Sequence, residues 1–293
     1  MKKLTLTESE RIKKLRESLI KEIPRTPNDR QSLLELESKS LPDLLVIYAN
    51  WIARYITPRK RDVIIEQAAL SDLRWATLAG QIYQFLEKVK SGEDLTPHLS
   101  LIIRKKGFSP AATKVGQDVD KWEDKDFLLN VMGYHHFHLG NQIAAKDHVG
   151  RTDDVLFAEV TRDKFRVIAI FSHSVFEKNT IITPALTAER KRLWEIFDEH
   201  SLAGATPGSL VIPSIIMTSG HSFKIVRLAQ DYMRVIKEID PKLDDYNFVK
   251  DLFAEAEISL PKKYKLNWHF RFLDLGVFDN ASKTYFVFRY GVN

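Results

Sequence analysis

The chain has 293 residues and a mass of 33.9 kDa, with 44% hydrophobic and 28% charged residues, a composition that excludes disordered, collagenous and membrane-embedded classes. It has no cysteine, so disulfide frameworks, cysteine-ligated zinc, iron–sulfur clusters and thiol nucleophiles are excluded as well. The net charge of +5 is uneven, at +6 over residues 1–110 and −1 over the rest. The basic clusters Arg59-Lys60-Arg61 and Arg104-Lys105-Lys106 are of a kind that meets phosphates, although solvated helix ends and loops explain each one alone more simply.

The N-terminal MKKLTLTESERIKK is interrupted by charge before an apolar signal region could form, and no run approaches the roughly 18 apolar residues of a spanning helix. The expectation is a cytoplasmic protein with no membrane partner.

In chain order, Thr7-Glu8-Ser9-Glu10 has the form of a capping box, and Ile12, Leu15, Leu19 and Ile23 follow at helical spacing up to Pro24. Residues 42–56 are apolar nearly all round and predict a buried helix ending before Pro58. Residues 71–90 predict an amphipathic helix with Leu73, Trp75, Leu78, Ile82, Phe85 and Leu86 on one stripe. Its aromatics, Trp75, Tyr83 and Phe85, could form a base-stacking platform, but their helical spacing favours core. Residues 1–115 therefore read as a helical N-terminal domain, and 116–293 as an α+β domain carrying the candidate active site.

The helical stripe is lost over Phe127–Leu139. Three β-rich segments follow, Tyr134–Leu139, Val155–Val160 and Phe165–Phe171, with Thr161–Lys164 as a hairpin turn between the last two. They predict an antiparallel meander. Helices at Thr187–His200 and His221–Ile239 come next, and 268–275 with 283–290 form a second hairpin around Asp279-Asn280. Thr218–Ser222 is either a helix N-cap, the simpler reading, or an anion site. The fold class is α+β.

Three of nine histidines fall in Gly133-Tyr134-His135-His136-Phe137-His138-Leu139. On a strand, Tyr134, His136 and His138 share one face, while His135, Phe137 and Leu139 share the core face. In the meander, the end of the first strand, the start of the second and the end of the third meet at one solvent-open edge, which gathers His138, Arg151 and His173. The connection Gly140–Asp154 is long for a hairpin and bears Lys146 and His148. Imidazoles titrating near neutral pH with a guanidinium fork suit phosphodiester cleavage, in which one ring takes a proton from a ribose 2′-hydroxyl and another donates to the departing 5′-oxygen. His136, His138, Arg151 and His173 are the candidate catalytic residues, and Tyr134, Lys146 and His148 the candidate substrate contacts.

This succession of His138, Arg151, two apolar strands, His173 and Phe176 resembles the core of RelE-type bacterial toxins and related metal-independent ribonucleases, over about 45 residues. The resemblance implies an RNA substrate, a toxin or phage-defence role and an antitoxin or regulatory partner. The helical N-terminal layer and the histidines depart from that pattern. A rival reading is a metal-dependent hydrolase in which His136 and His138 join His173 or Asp153 as ligands. A third is a non-catalytic nucleic-acid or protein-binding regulator. No dinucleotide-binding glycine motif or P-loop is present, so no nucleotide cofactor is expected.

Overall fold

The computed structural model describes residues 8–110, 126–140, 143–144, 148–150, 152–177, 186–212 and 215–293. These form, in order, α1 (Glu10–Glu22), α2 (Arg30–Glu37), α3 (Leu41–Ile52), β1 (Asp62–Ile65), a single turn α4 (Gln67–Leu70), α5 (Leu73–Ser91) and α6 (Phe127–Met132). There follow β2 (Tyr134–His138), β3 (Ile143–Ala144), β4 (His148–Val149), β5 (Asp154–Val160), β6 (Lys164–Ser172) and α7 (Ala188–Leu202). The chain continues with α8 (Phe223–Ile239), α9 (Tyr246–Glu255), β7 (Leu266–Arg271), β8 (Asp274–Asp279) and β9 (Thr284–Arg289). The fold is α+β, and no described helix is long and apolar enough to cross a membrane.

The chain forms two compact units, each assembled from separate stretches. The first takes residues 1–53, 104–125 and 223–292. Its three-stranded antiparallel sheet, β7-β8-β9, places Trp268 and Phe270 inward, and Phe270 packs on Tyr48 of α3 and Tyr232 of α8. The buried Asp240 carboxylate accepts from Trp268 Nε1 (2.8 Å) and Arg11 Nε (3.0 Å), which ties the end of α8 to β7 and α1. The expected strand 268–275 is two strands. It folds back at Phe272, whose φ of 53° is left-handed without a glycine to announce it.

The second unit takes residues 54–103, 126–222 and 293, and holds a four-stranded sheet of order β1-β6-β5-β2. The predicted meander is β2-β5-β6, with His138 opposite Val155 and Val155 opposite Phe171. β1 is a strand that the sequence pattern does not announce, and it pairs parallel to the first half of β6. α6 likewise occupies residues expected to be non-helical.

Both faces of this sheet are buried. One face sets Phe137, Leu156 and Phe165 against Ile82, Phe85 and Leu86 of α5, and the other sets Tyr134, Phe157 and Phe171 against Leu193 and Phe197 of α7. Removing a buried phenylalanine from such a core costs about 3–5 kcal/mol. α5 begins at Asp72, whose side chain caps Arg74 N, and ends at Gly92 in a left-handed conformation. Trp75 and Phe85 are core, whereas Leu73 is 93% exposed because it precedes the buried stripe. α1 is capped by Ser9, and Thr7 of the expected capping box lies outside the described residues.

A bulge on β6 governs the second face. Phe157 pairs with Ala169 but Ala158 with Val167, so Ile168 is an extra residue and the inward and outward parity of β6 reverses after it. Beyond Val167, where β1 no longer covers it, the edge of β6 is closed by charge. Arg74 Nη2 and Arg192 Nη1 both donate to Ile170 O (3.0 and 2.8 Å), and Glu189 Oε2 accepts from Ser172 N. Asp72 holds both guanidiniums, at 2.8 Å from Arg74 and 2.9 Å from Arg192. Burial alone would raise the Asp72 pKa, but the bonds to Arg74 outweigh it and hold the carboxyl below its ordinary range. Asp72→Ala removes a helix cap and the counter-ion of two part-buried arginines, so a loss of about 2–4 kcal/mol is expected in urea unfolding. The Asp72–Arg192 coupling should appear as a non-additive double-mutant cycle.

Candidate active site

β2 delivers its histidines alternately to the two cores. His135 is buried on the α5 face beside Phe137, while His136 and His138 point to the other face with Tyr134, as the strand period requires. Across the sheet, the row His138, Val155, Phe171 runs to the C-terminal end of β6. The 3-10 turn His173–Phe176 follows directly and folds back over this row.

The result is a contiguous set of rings. His138 and His173 stack with centroids 5.4 Å apart and planes 19° from parallel. His173 packs on Phe176 at 5.7 Å, and Phe176 on His136 at 4.8 Å. The edge is less open than the sequence suggests: His138 is only 5% exposed, whereas His136 and His173 are half-buried. The cause is the turn itself, which lays His173 over the His138 ring.

His173 is fixed by its own backbone neighbourhood. Its Nδ1 and its main-chain N both donate to Asp153 O at 3.0 Å. A carbonyl can only accept, so Nδ1 carries the hydrogen and Nε2 is the nitrogen left to exchange a proton. The turn is held from α7 as well, by Thr187 Oγ1 donating to Ser174 O (3.0 Å) and Arg190 Nη1 to Val175 O (3.2 Å). Arg190 has no carboxylate partner among the described residues, and burial alone lowers its pKa. Sequence reasoning missed it, because nothing in a helical arginine announces which turn it will reach.

The remaining candidates separate. Tyr134 is 1% exposed, packs on Phe197, and bonds through its hydroxyl to His200 Nδ1 at 3.3 Å, so its environment is core. His148 is 3% exposed on β4, where Nδ1 donates to Leu99 O at 3.0 Å and Nε2 is buried with no hydrogen-bond partner among the described residues. Arg151 and Lys146 lie outside the described residues. The connection Gly140–Asp154 contains the small β3-β4 hairpin. Its ends meet so closely that a Cβ on Gly140 would lie 2.6 Å from Gly150 O, which explains a glycine there. Among the described residues, no three His, Asp or Glu side chains come together as metal ligands. Arg61 is buried, donating to Thr161 O, Thr57 O and Arg59 O, and burial lowers its pKa to about 10; it is a structural arginine and no phosphate contact.

No protein-family model matches the chain, and no curated protein or solved structure is significantly similar to it. The chemistry of this site therefore rests on its own geometry.

A further histidine supports the end of β2. His98 Nδ1 donates to His138 O (2.7 Å), its Nε2 accepts from Lys88 Nζ (3.1 Å), and its ring lies against Phe85. Burial, aided by the Lys88 charge, lowers its pKa below the ordinary imidazole value. The unfolded chain then binds the proton more readily, so this contribution is intact above about pH 6.5 and is lost as pH falls below it. His98→Gln should be less stable than wild type at pH 7.5, and the difference should narrow at pH 5.5, measured by urea unfolding at both values.

Proposed function

We propose that this protein is a metal-independent endoribonuclease whose acid and base are His138 and His173. The observation that carries the reading is the stacked imidazole pair with the His173 tautomer fixed by Asp153 O. Nε2 of His173 takes the proton of a ribose 2′-hydroxyl as the 2′-oxygen attacks phosphorus. The P–O5′ bond breaks, and the second imidazole, protonated, gives its proton to the 5′-oxygen. The products are a 2′,3′-cyclic phosphate and a 5′-hydroxyl. His136 borders the pair through Phe176. Arg190, bonded to the same turn, is a cation for the phosphorane oxygens, and Arg151, the one expected from the sequence, lies outside the described residues. The toxin or phage-defence role, with RNA as substrate and an antitoxin or regulatory protein as partner, rests on the resemblance of the sequence pattern His138, Arg151, two apolar strands, His173 and Phe176 to RelE-type toxins.

His173→Asn keeps an N–H at the position that donates to Asp153 O but cannot titrate. Cleavage of a synthetic RNA should fall by about 100-fold or more, because general acid–base groups contribute about 10²–10⁴, while the melting temperature stays that of wild type. Wild-type cleavage should persist in EDTA and leave cyclic-phosphate ends. A His173→Asn variant that cuts RNA at the wild-type rate ends the proposal, and abolition by EDTA favours the metal-hydrolase rival.

A further inference from the structure

The first unit holds a cavity of about 520 Å³ lined by Lys21, Glu22, Arg25, Arg104, Lys105 and Lys106, together with Pro24 and Asn28. Among the described residues of the lining, five cations face one carboxylate, and that carboxylate already accepts from Ser18 Oγ at 2.6 Å. Arg25 donates through Nη2 to Asn28 Oδ1 (2.9 Å), but its buried Nε has no hydrogen-bond partner among the described residues. A buried guanidinium N–H without an acceptor is costly, and like charges gathered in a concavity raise the local potential. An anion seated there relieves both.

The cavity is also rigid. Thr26 N donates to Phe108 O (2.9 Å), Phe108 N and Gly107 N to Pro24 O (2.8 and 3.1 Å), and Thr26 Oγ1 to Lys105 O (3.0 Å). Gly107 passes so close to Pro24 that a Cβ would meet its Cδ at 2.7 Å. The backbone that carries the cations of 104–106 is thus fixed against the 24–26 segment, so it needs no reordering on binding.

We propose that this cavity binds the phosphodiester backbone of an RNA strand. Among the described residues its lining has no aromatic side chain on which a base could stack, so the contacts argued for go to phosphates and carry no sequence preference. The choice of RNA among polyanions rests on the ribonuclease reading, whereas the charge and the unsatisfied Arg25 N–H do not.

The test uses the full chain and a fluorescent 2′-O-methyl RNA 20-mer, which cannot be cleaved through its 2′-oxygen, with anisotropy read from 50 to 200 mM KCl. Lys21 and Lys105 are both exposed, so Lys21→Gln/Lys105→Gln should melt as wild type does. If each lysine makes one phosphate contact, the slope of log K against log[KCl] falls by about 0.7 per contact. Affinity near 0.1 M salt then drops roughly 25-fold, equally for unrelated RNA sequences. Unchanged affinity and slope in the double variant overturn the proposal. So does wild-type binding to vesicles of 30% phosphatidylserine in phosphatidylcholine, or to inorganic triphosphate, without binding to RNA. If the salt-dependent RNA binding appears but unmodified RNA is never cut, the ribonuclease reading fails alone and the cavity stands. If RNA is cut in a His173-dependent manner while the double variant binds as wild type does, the cavity fails alone.

Discussion

The single extra residue Ile168 in β6 decides which face of the sheet carries His173. Without it, Phe171 would face α5 and the turn after Ser172 would leave the sheet on that side. With it, Ile168 and Ala169 both face α7, Phe171 joins them, and His173 emerges on the face that carries His138. A bulge beside a functional site commonly serves to aim a side chain in this way. The bend is stable because the strand is anchored on both flanks, by β5 on one and by the Arg74, Arg192, Glu189 and Asp72 network on the other. Two guanidiniums donating to the Ile170 carbonyl also stop that exposed edge from pairing with another chain.

What the sequence revealed and what it hid follow from the same physics. β2 was legible because its histidines alternate with Phe137 and Leu139, so the period of two is visible and each histidine can be assigned a face. β6 was legible as a strand but not as a bulged one. Phe165–Phe171 is apolar except at Arg166, and with both faces buried no alternation remains to show where parity reverses. β1 was hidden for a related reason: four residues between a basic cluster and a helix turn carry no period, and their pairing with β6 is set about a hundred residues away. The β7 to β8 turn was hidden because Phe272 takes a left-handed conformation that glycine or asparagine would have advertised.

The two basic clusters make the same point about charge. Arg59-Lys60-Arg61 and Arg104-Lys105-Lys106 look alike as letters, but Arg61 turns inward to satisfy three backbone carbonyls at the entry to β1, whereas Arg104 and Lys105 are exposed at a cavity mouth. What separates them is the availability of buried acceptors. Strand entry at β1 leaves carbonyls in need of donors, and a guanidinium supplies several at once. At the turn 104–108, Phe108 O accepts from Thr26 N and Lys105 O from Thr26 Oγ1, so these two carbonyls are satisfied by the partner segment without a guanidinium.

The burial of His138 bears on how the imidazole pair can work. A ring at 5% exposure with His173 stacked on it meets little solvent, and the cover is a four-residue turn whose Val175 is itself fully buried in the core. The turn is also held by four hydrogen bonds, from His173 N and Nδ1 to Asp153 O, from Thr187 Oγ1 to Ser174 O and from Arg190 Nη1 to Val175 O. The His173 backbone and ring both use the same carbonyl, so one acceptor positions the main chain and the ring together. Under the ribonuclease reading proposed above, a substrate reaches His138 only if this turn shifts, and the Arg190 bond to Val175 O is the restraint for which a phosphate would compete.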